Sequence, residues 1–224
     1  MTTTLQYIGE QIHSQGIFTG GPLELFDQAG RLQFYTLVRE GLSPYSKLLD
    51  VGCGCLRGGY WLVRLLESDC YFGIEPNQPM LQAGVAHCLT PELQTLKRPR
   101  FDTNDRFDFS VFGTQFDAIV ARSIWSHASK QQIQVMLDGF LANTNPAAFF
   151  LVSYLPAVWY RPRQRDYEGN KWVGRSHECD RPGLVHHRRN WIDRECQTRG
   201  LRVQQLDDPP FNSQYWLKIT KRGR

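Results

Sequence analysis

No stretch of the 224-residue chain approaches the roughly 18 consecutive apolar residues that a membrane helix needs. Its opening, MTTTLQYIGEQ, lacks the basic start and apolar core of a signal peptide. The expectation is a cytoplasmic protein with no membrane partner. Cysteine is sparse and irregularly placed (Cys53, Cys55, Cys70, Cys88, Cys179, Cys196), which excludes a disulfide framework in a chain with no secretion signal and predicts free thiols. There is no internal repeat and no low-complexity segment, so repeat architectures are excluded. His177, Cys179, His186 and His187 fall within eleven residues, but their H-x-C-x6-H-H spacing lacks the paired C-x-x-C or H-x3-H units of structural zinc sites. No metal is expected.

What is present fits one domain with appendages: 41% hydrophobic and 12% aromatic residues on a chain long enough for a full core. The net charge of +4 is uneven. Between Ala157 and Arg189 stand eight basic residues (Arg161, Arg163, Arg165, Lys171, Arg175, Arg181, Arg188, Arg189) against four acidic ones (Asp166, Glu168, Glu178, Asp180), so that segment carries all of it. An asymmetry of this kind marks an interaction surface. The same segment interleaves Pro156, Pro162 and Pro182 with Trp159, Tyr160, Tyr167 and Trp172, which interrupts any regular element. It reads as a lid-like insertion at about 157–188 or as a solvated surface loop. Residues 1–43 read as an N-terminal helical cap and 44–224 as the main domain.

Alternating strands and helices dominate the rest. Helices are predicted over 4–15 and 23–41, with the loop GIFTGGPLE between them. LLDVGCGCLRGGYWL, Leu48 to Leu62, runs from a buried strand through Gly52, Gly54, Gly58 and Gly59 into a helix. CYFGIEP is a second strand ending at Glu75, followed by a helix from Gln78 and another after Pro91. A short strand is expected near 100–103. FDAIVARS is a strand, SKQQIQVMLDGFLANT a helix, AAFFLVSYL a strand, and a helix near 189–199 precedes strands LRVQQL and SQYWLKIT, with KRGR as a frayed tail. This rhythm predicts a doubly wound α/β domain with a parallel sheet and helices on both faces.

A glycine-rich strand-to-helix turn brings backbone N–H groups close to a ligand, and a nucleotide-type cofactor is its natural guest. Gly52-x-Gly54-x-x-x-Gly58, with Glu75 placed 21 residues after Gly54, is close to a dinucleotide fingerprint. Arg57 stands where the stricter pattern requires its third glycine. Asp50, at the carboxyl end of the strand, would repel a pyrophosphate and attract a cation. A cofactor with a positive amino or sulfonium group and a ribose satisfies both acids.

LLDVGCG, YFGIEPN, FDAIVARSIWSH and FFLVSYL together resemble the class I methyltransferases that use S-adenosylmethionine, and DVGCGCLRGG followed by GIEPN is most similar to their small-molecule type. The resemblance covers about residues 44–155 and extends through GLRV and SQYWLKI. It implies a Rossmann-like seven-stranded sheet and S-adenosylmethionine as cofactor, with S-adenosylhomocysteine as product. It further implies that Asp50, Gly52 and Gly54 lie along the methionine part, that Glu75 binds the ribose hydroxyls, and that Pro76 and Asn77 neighbour the adenine. An acid after the third strand meets the adenine amino group: Asp105 by spacing to Asp117, or else Asp108. Ala121, Arg122 and Ser123 would line the site after the fourth strand.

In such a reaction the protein mainly aligns a nucleophile, and a base is needed only where the acceptor carries a proton. His127 is the candidate base; His127 and Ser126 are equally candidates to cap the helix starting near Ser129. Tyr7, His13, Phe18 and Gly20 are candidates to close the other side of the cofactor. The aromatic and arginine mixture of 157–189 suits a small anionic or aromatic acceptor. Nucleic acid is the alternative substrate, disfavoured by the absence of a separate RNA-binding domain and of an NPPY-like turn, whose place ARSIW takes. A cofactor-binding module without turnover is the alternative outside catalysis.

Overall fold

Four consecutive strand residues, Leu48–Val51 (β1), are buried on both faces, as are all four of Tyr71–Ile74 (β2). Burial on both faces is what turns a strand into a continuous apolar run rather than an alternating one. The computed structural model describes residues 3–158, 167, 169–173 and 183–222. They form two compact units, Met1–Asp105 and Arg106–Arg224.

In the first unit, β1 pairs in parallel with β2, and β2 with Arg100–Asp102 (β3). Helix α1 (Thr4–Ser14) starts where the Thr3 side chain accepts from the Gln6 N–H. A short 3-10 turn at Leu23–Leu25 leads into α2 (Phe26–Arg39). The turn after β1 leads into α3 (Gly59–Leu65), and β2 is followed by α4 (Gln78–Cys88) and α5 (Pro91–Lys97). Asn77 and Thr90 cap the last two, each with proline in the first turn, where no N–H is missed. Leu48, Leu49, Val51, Leu62, Val63, Phe72 and Phe26 fill the core at 0% exposure.

In the second unit, Phe116–Ala121 (β4) pairs in parallel with Thr144–Tyr154 (β5) across α6 (Lys130–Asn143). Ser129 caps α6 in a reciprocal capping box with Gln132, which removes His127 and Ser126 from that role. Helix α7 (Arg189–Thr198) precedes β6 (Leu201–Gln205) and β7 (Tyr215–Lys221). Trp125, Phe140, Phe150, Leu151 and Val152 are its fully buried core.

The strand order is β3-β2-β1-β4-β5-β7-β6, a seven-stranded Rossmann-like α/β sheet. It corrects the all-parallel expectation, because β7 runs antiparallel to both β5 and β6. The connection from β6 to β7 contains no helix, and a parallel neighbour needs a crossover of a dozen or more residues. Lys221 is likewise no frayed residue: it ends β7, and its Nζ donates to the carbonyl oxygens of Leu141 and Thr144. Among the described residues no helix is long and apolar enough to cross a membrane.

Candidate functional site

The turn after β1 is folded by its own backbone. Left-handed φ recurs at every second residue, Gly52 (+70°), Gly54 (+58°) and Leu56 (+59°). Alternation of this kind turns successive N–H groups to one side. Here the N–H groups of Gly52 and Cys53 both donate to the Ile74 carbonyl oxygen (2.8 and 3.1 Å), and that of Gly54 donates to Glu75 Oε2 at 3.0 Å. The turn is therefore strapped onto the end of β2. Helices α2 and α4 come close enough to need glycine: a Cβ added at Gly30 would lie 2.4 Å from the Arg57 carbonyl oxygen, and one at Gly84 would lie 2.5 Å from the Cys55 carbonyl carbon.

Two buried carboxylates flank this strap. Asp50, 2% exposed, accepts from the Tyr71 hydroxyl (2.9 Å) and from Gln33 Nε2 (3.3 Å). Burial pushes its pKa up to about 6 against the pull of those two hydrogen bonds and of the Arg57 charge. Glu75, 4% exposed, accepts from the N–H groups of Gly54 and Asn77, and burial pushes it up to about 7. A carboxylate has about four acceptor positions, and each of these uses two. No ion pair reaches either among the described residues, so both keep capacity for a cation or for hydroxyl donors.

Pro76 and Asn77 lead from Glu75 into α4, and the Asn77 side chain is spent on the Met80 N–H. Thr19 lies against the turn, where the Cys55 thiol donates to its carbonyl oxygen at 3.7 Å. Tyr7 and Phe18 are exposed. Asp105 is exposed at the end of the first unit, whereas Asp108 opens the second and caps the 3-10 turn Phe109–Phe112 through Ser110. Its hydrogen bonds to Ser110 hold that carboxyl below the usual range.

In the second unit the turn after β4 is held by side chains. Ala121 is fully buried, and Ser123 has a left-handed φ of +57°. The Ser123 N–H donates to Ser153 Oγ (2.7 Å), Ser153 Oγ donates to Gln214 Oε1 (2.6 Å), and Gln214 Nε2 returns to Ser123 Oγ (2.9 Å). Arg122 lies over the rings of Phe211 (4.8 Å) and Trp216 (5.8 Å). His127 Nδ1 lies 2.7 Å from the Val173 carbonyl oxygen and 3.1 Å from that of Gly183. Carbonyls only accept, so Nδ1 carries the proton and Nε2 is the basic nitrogen. Burial lowers the pKa of the ring, which packs 5.5 Å from Trp172.

Tyr71, Gln33, Ser153 and Gln214 are absent from the sequence reading. Most of the basic excursion, including Trp159, Tyr160, Arg161, Arg163, Arg165, Arg175, His177, Cys179 and Arg181, lies outside the described residues. His187 is buried, with Nε2 bonded to the carbonyl oxygens of Trp125 and Ala128. The described cysteines are free thiols, and no cluster of three metal-ligating side chains occurs among the described residues.

No family model matches the chain, and no curated protein matches its sequence. Solved structures do match. The DhpI–SAH complex has a TM-score of 0.64 at 12% identity, covering 99% of this chain and 96% of its own. Magnesium protoporphyrin IX methyltransferase (ChlM) from Synechocystis PCC 6803 with bound SAM has 0.61 at 15%, covering 87% and 79%. The glycopeptide N-methyltransferase MtfA, complexed with S-adenosyl-L-methionine, has 0.62 at 14%, covering 86% and 94%. At these identities the likeness speaks for architecture, and the chain has the fold of S-adenosylmethionine-dependent methyltransferases.

Proposed function

We propose that the protein is an S-adenosylmethionine-dependent methyltransferase acting on a small anionic or aromatic metabolite. The observation that carries the cofactor assignment is the fate of the turn's N–H groups. A dinucleotide site offers them to a pyrophosphate. Here Gly52, Cys53 and Gly54 spend theirs on Ile74 and Glu75, and two buried carboxylates remain with room for donors. That set of acceptors fits a ligand with a cation and a diol and does not fit one with two phosphates.

Asp50 would hold the amino group and Glu75 the ribose hydroxyls, with Gly52, Gly54, Pro76 and Asn77 alongside and Asp105 or Asp108 toward the adenine. When bound, the cofactor supplies a methyl group already activated on a sulfonium. The chain's remaining task is orientation, which can supply on the order of 7 kcal/mol or more, and custody of a proton. His127 Nε2 is the atom proposed to take the proton that an acceptor gives up; its fixed tautomer and neutral ring support this. Ala121, Arg122 and Ser123 are proposed to face the acceptor, on the support of a guanidinium already seated on two aromatic rings. Residues 1–43 are read as a cap, on the contact of Thr19 with Cys55, and about 157–188 as a lid. Free thiols support a cytosolic setting.

Calorimetric titration with S-adenosylhomocysteine beside NADH tests the cofactor. Micromolar binding of S-adenosylhomocysteine alone is expected; binding of NADH alone would replace this reading with the dinucleotide one. Turnover of acidic and aromatic metabolites that is nearly independent of salt is expected next. Activity on RNA falling steeply with ionic strength would move the substrate class to nucleic acid, and cofactor binding without any turnover would leave a binding module.

A further inference from the structure

Arg57 is the arginine of the turn that has no mate. Arg31, Arg98, Arg189 and Arg199 all reach a carboxylate, and Arg64 donates to two carbonyl oxygens. Arg57 is half-buried and forms no hydrogen bond or ion pair with any described residue. A guanidinium carries five N–H donors, and taking it partly out of water without a partner is unfavourable.

Its position is nevertheless fixed. The Arg57 carbonyl oxygen is pressed onto α2 at Gly30, its Cγ lies 3.3 Å from where a Cβ on Gly30 would sit, and its guanidinium stands 5.9 Å from the Phe26 ring centre. Nη1 points to Gly21, 3.5 Å from where a Cβ there would sit. So the side chain is laid along the N-terminal segment, on the same turn that carries Gly52 and Gly54. Asp50 feels its charge but is already engaged by Tyr71 and Gln33, and the two are not ion-paired.

An anionic and a cationic group held near each other, unpaired and both short of solvent, suit a ligand that is itself a zwitterion. We propose that Arg57 binds the α-carboxylate of the cofactor's amino-acid moiety, opposite the amino group that Asp50 attracts. This rests on the cofactor reading above. A carboxylate on the acceptor is the other source of the same chemistry, and the two separate experimentally.

The full-length chain and its Arg57→Ala and Arg57→Gln variants are titrated with S-adenosylhomocysteine, with the same compound lacking its carboxylate, and with methylthioadenosine, which lacks the whole amino-acid moiety. Each variant is first matched to the parent by its melting temperature. Arg57→Ala is expected to weaken S-adenosylhomocysteine about 10- to 100-fold, as for a lost charge-assisted hydrogen bond, and to leave the two truncated ligands unchanged. Equal loss for all three ligands would make Arg57 a shaping residue of the turn and overturn the proposal. Unchanged S-adenosylhomocysteine binding with a raised KM for an acidic acceptor would overturn it in favour of the acceptor. Should the parent chain bind none of the three, the cofactor reading itself fails, which no Arg57 variant is needed to show.

Discussion

The turn after β1 and the turn after β4 both end strands buried on both sides, yet they are held by opposite means. The first is closed by backbone N–H groups that travel no further than Ile74 and Glu75. The second depends on side chains and carbonyls 30 to 91 residues away, from Ser153, Val173, Gly183 and Gln214. A site closed by its own backbone N–H groups on the end of the neighbouring strand can be rigid before its ligand arrives. A site closed by distant side chains is open to change in each of them, which is the property expected of a wall that selects an acceptor if the β4 turn serves as proposed above.

The comparison breaks most sharply at Asp50. Asp50→Asn keeps one acceptor oxygen, for Gln33 Nε2, sets its NH2 against the Tyr71 hydroxyl, which can accept from it, and removes the charge; S-adenosylhomocysteine affinity is expected to fall about a hundredfold, in the range of charged hydrogen bonds lost from buried sites. The same variant is expected to melt higher than the parent at pH 8, because a carboxylate whose folded pKa is raised to about 6 is a cost to the ligand-free fold once ionised. Loss of affinity together with loss of stability would mean that Asp50 serves the fold alone.

His127→Gln probes the other turn. Turnover is expected to drop about a hundredfold, the lower range for a lost general base, with S-adenosylhomocysteine affinity unmoved. Unchanged turnover would leave His127 as a peg for Val173 and Gly183 and take it out of the chemistry.

The pH dependence of cofactor affinity belongs to the first turn only. Glu75 and Asp50, raised to about 7 and about 6, bind more protons folded than unfolded. Their contribution to the stability of the ligand-free chain is therefore present at about pH 4 and lost as pH rises through 6 and 7. A cofactor held by these two residues as proposed above would need both ionised. Affinity is expected to rise roughly a hundredfold between about pH 5.5 and 7.5 and then level, with proton release at pH 6.5 seen as buffer-dependent heat. A flat profile would mean that neither carboxylate contacts the charged or hydroxyl groups of the ligand.

The same contrast explains what could be read ahead of the structure. Strands β1, β2 and β4 announce themselves because two-sided burial demands apolar runs, and Asp50, Gly54 and Glu75 sit at fixed offsets from those runs. Period and spacing carry that information. The antiparallel β7 was missed because an apolar run says nothing of direction; only the helix-free link from β6 decides it. Tyr71, Gln33 and Gln214 were missed for a different reason. Each acts through a hydrogen bond to a residue 17 or more positions away, and no local pattern marks which tyrosine or glutamine will face a given acid or serine. Arg57 was legible only as a departure from a glycine pattern, and its lack of a partner became visible once the packing around it was known.

Gln214 carries the smallest and most discriminating test. Its amide accepts from Ser153 Oγ and donates to Ser123 Oγ, so Gln214→Ala removes two side-chain hydrogen bonds and leaves Ser153, 3% exposed, still holding the Ser123 N–H but without its own acceptor. Each bond is worth about 1 kcal/mol net, so a loss of about 1–2 kcal/mol is expected, which for a chain of this length lowers Tm by roughly 2–8 °C. Gln214→Glu separates shape from polarity: it keeps the acceptor for Ser153 and turns the donor to Ser123 into a second acceptor. If the β4 turn is a rigid wall for the acceptor, the alanine variant raises KM for the acceptor and spares S-adenosylhomocysteine affinity. An unchanged Tm in both variants would mean that the ring of Ser123, Ser153 and Gln214 does not hold the turn, and that its left-handed Ser123 is maintained by the buried backbone of β4 and β5 alone.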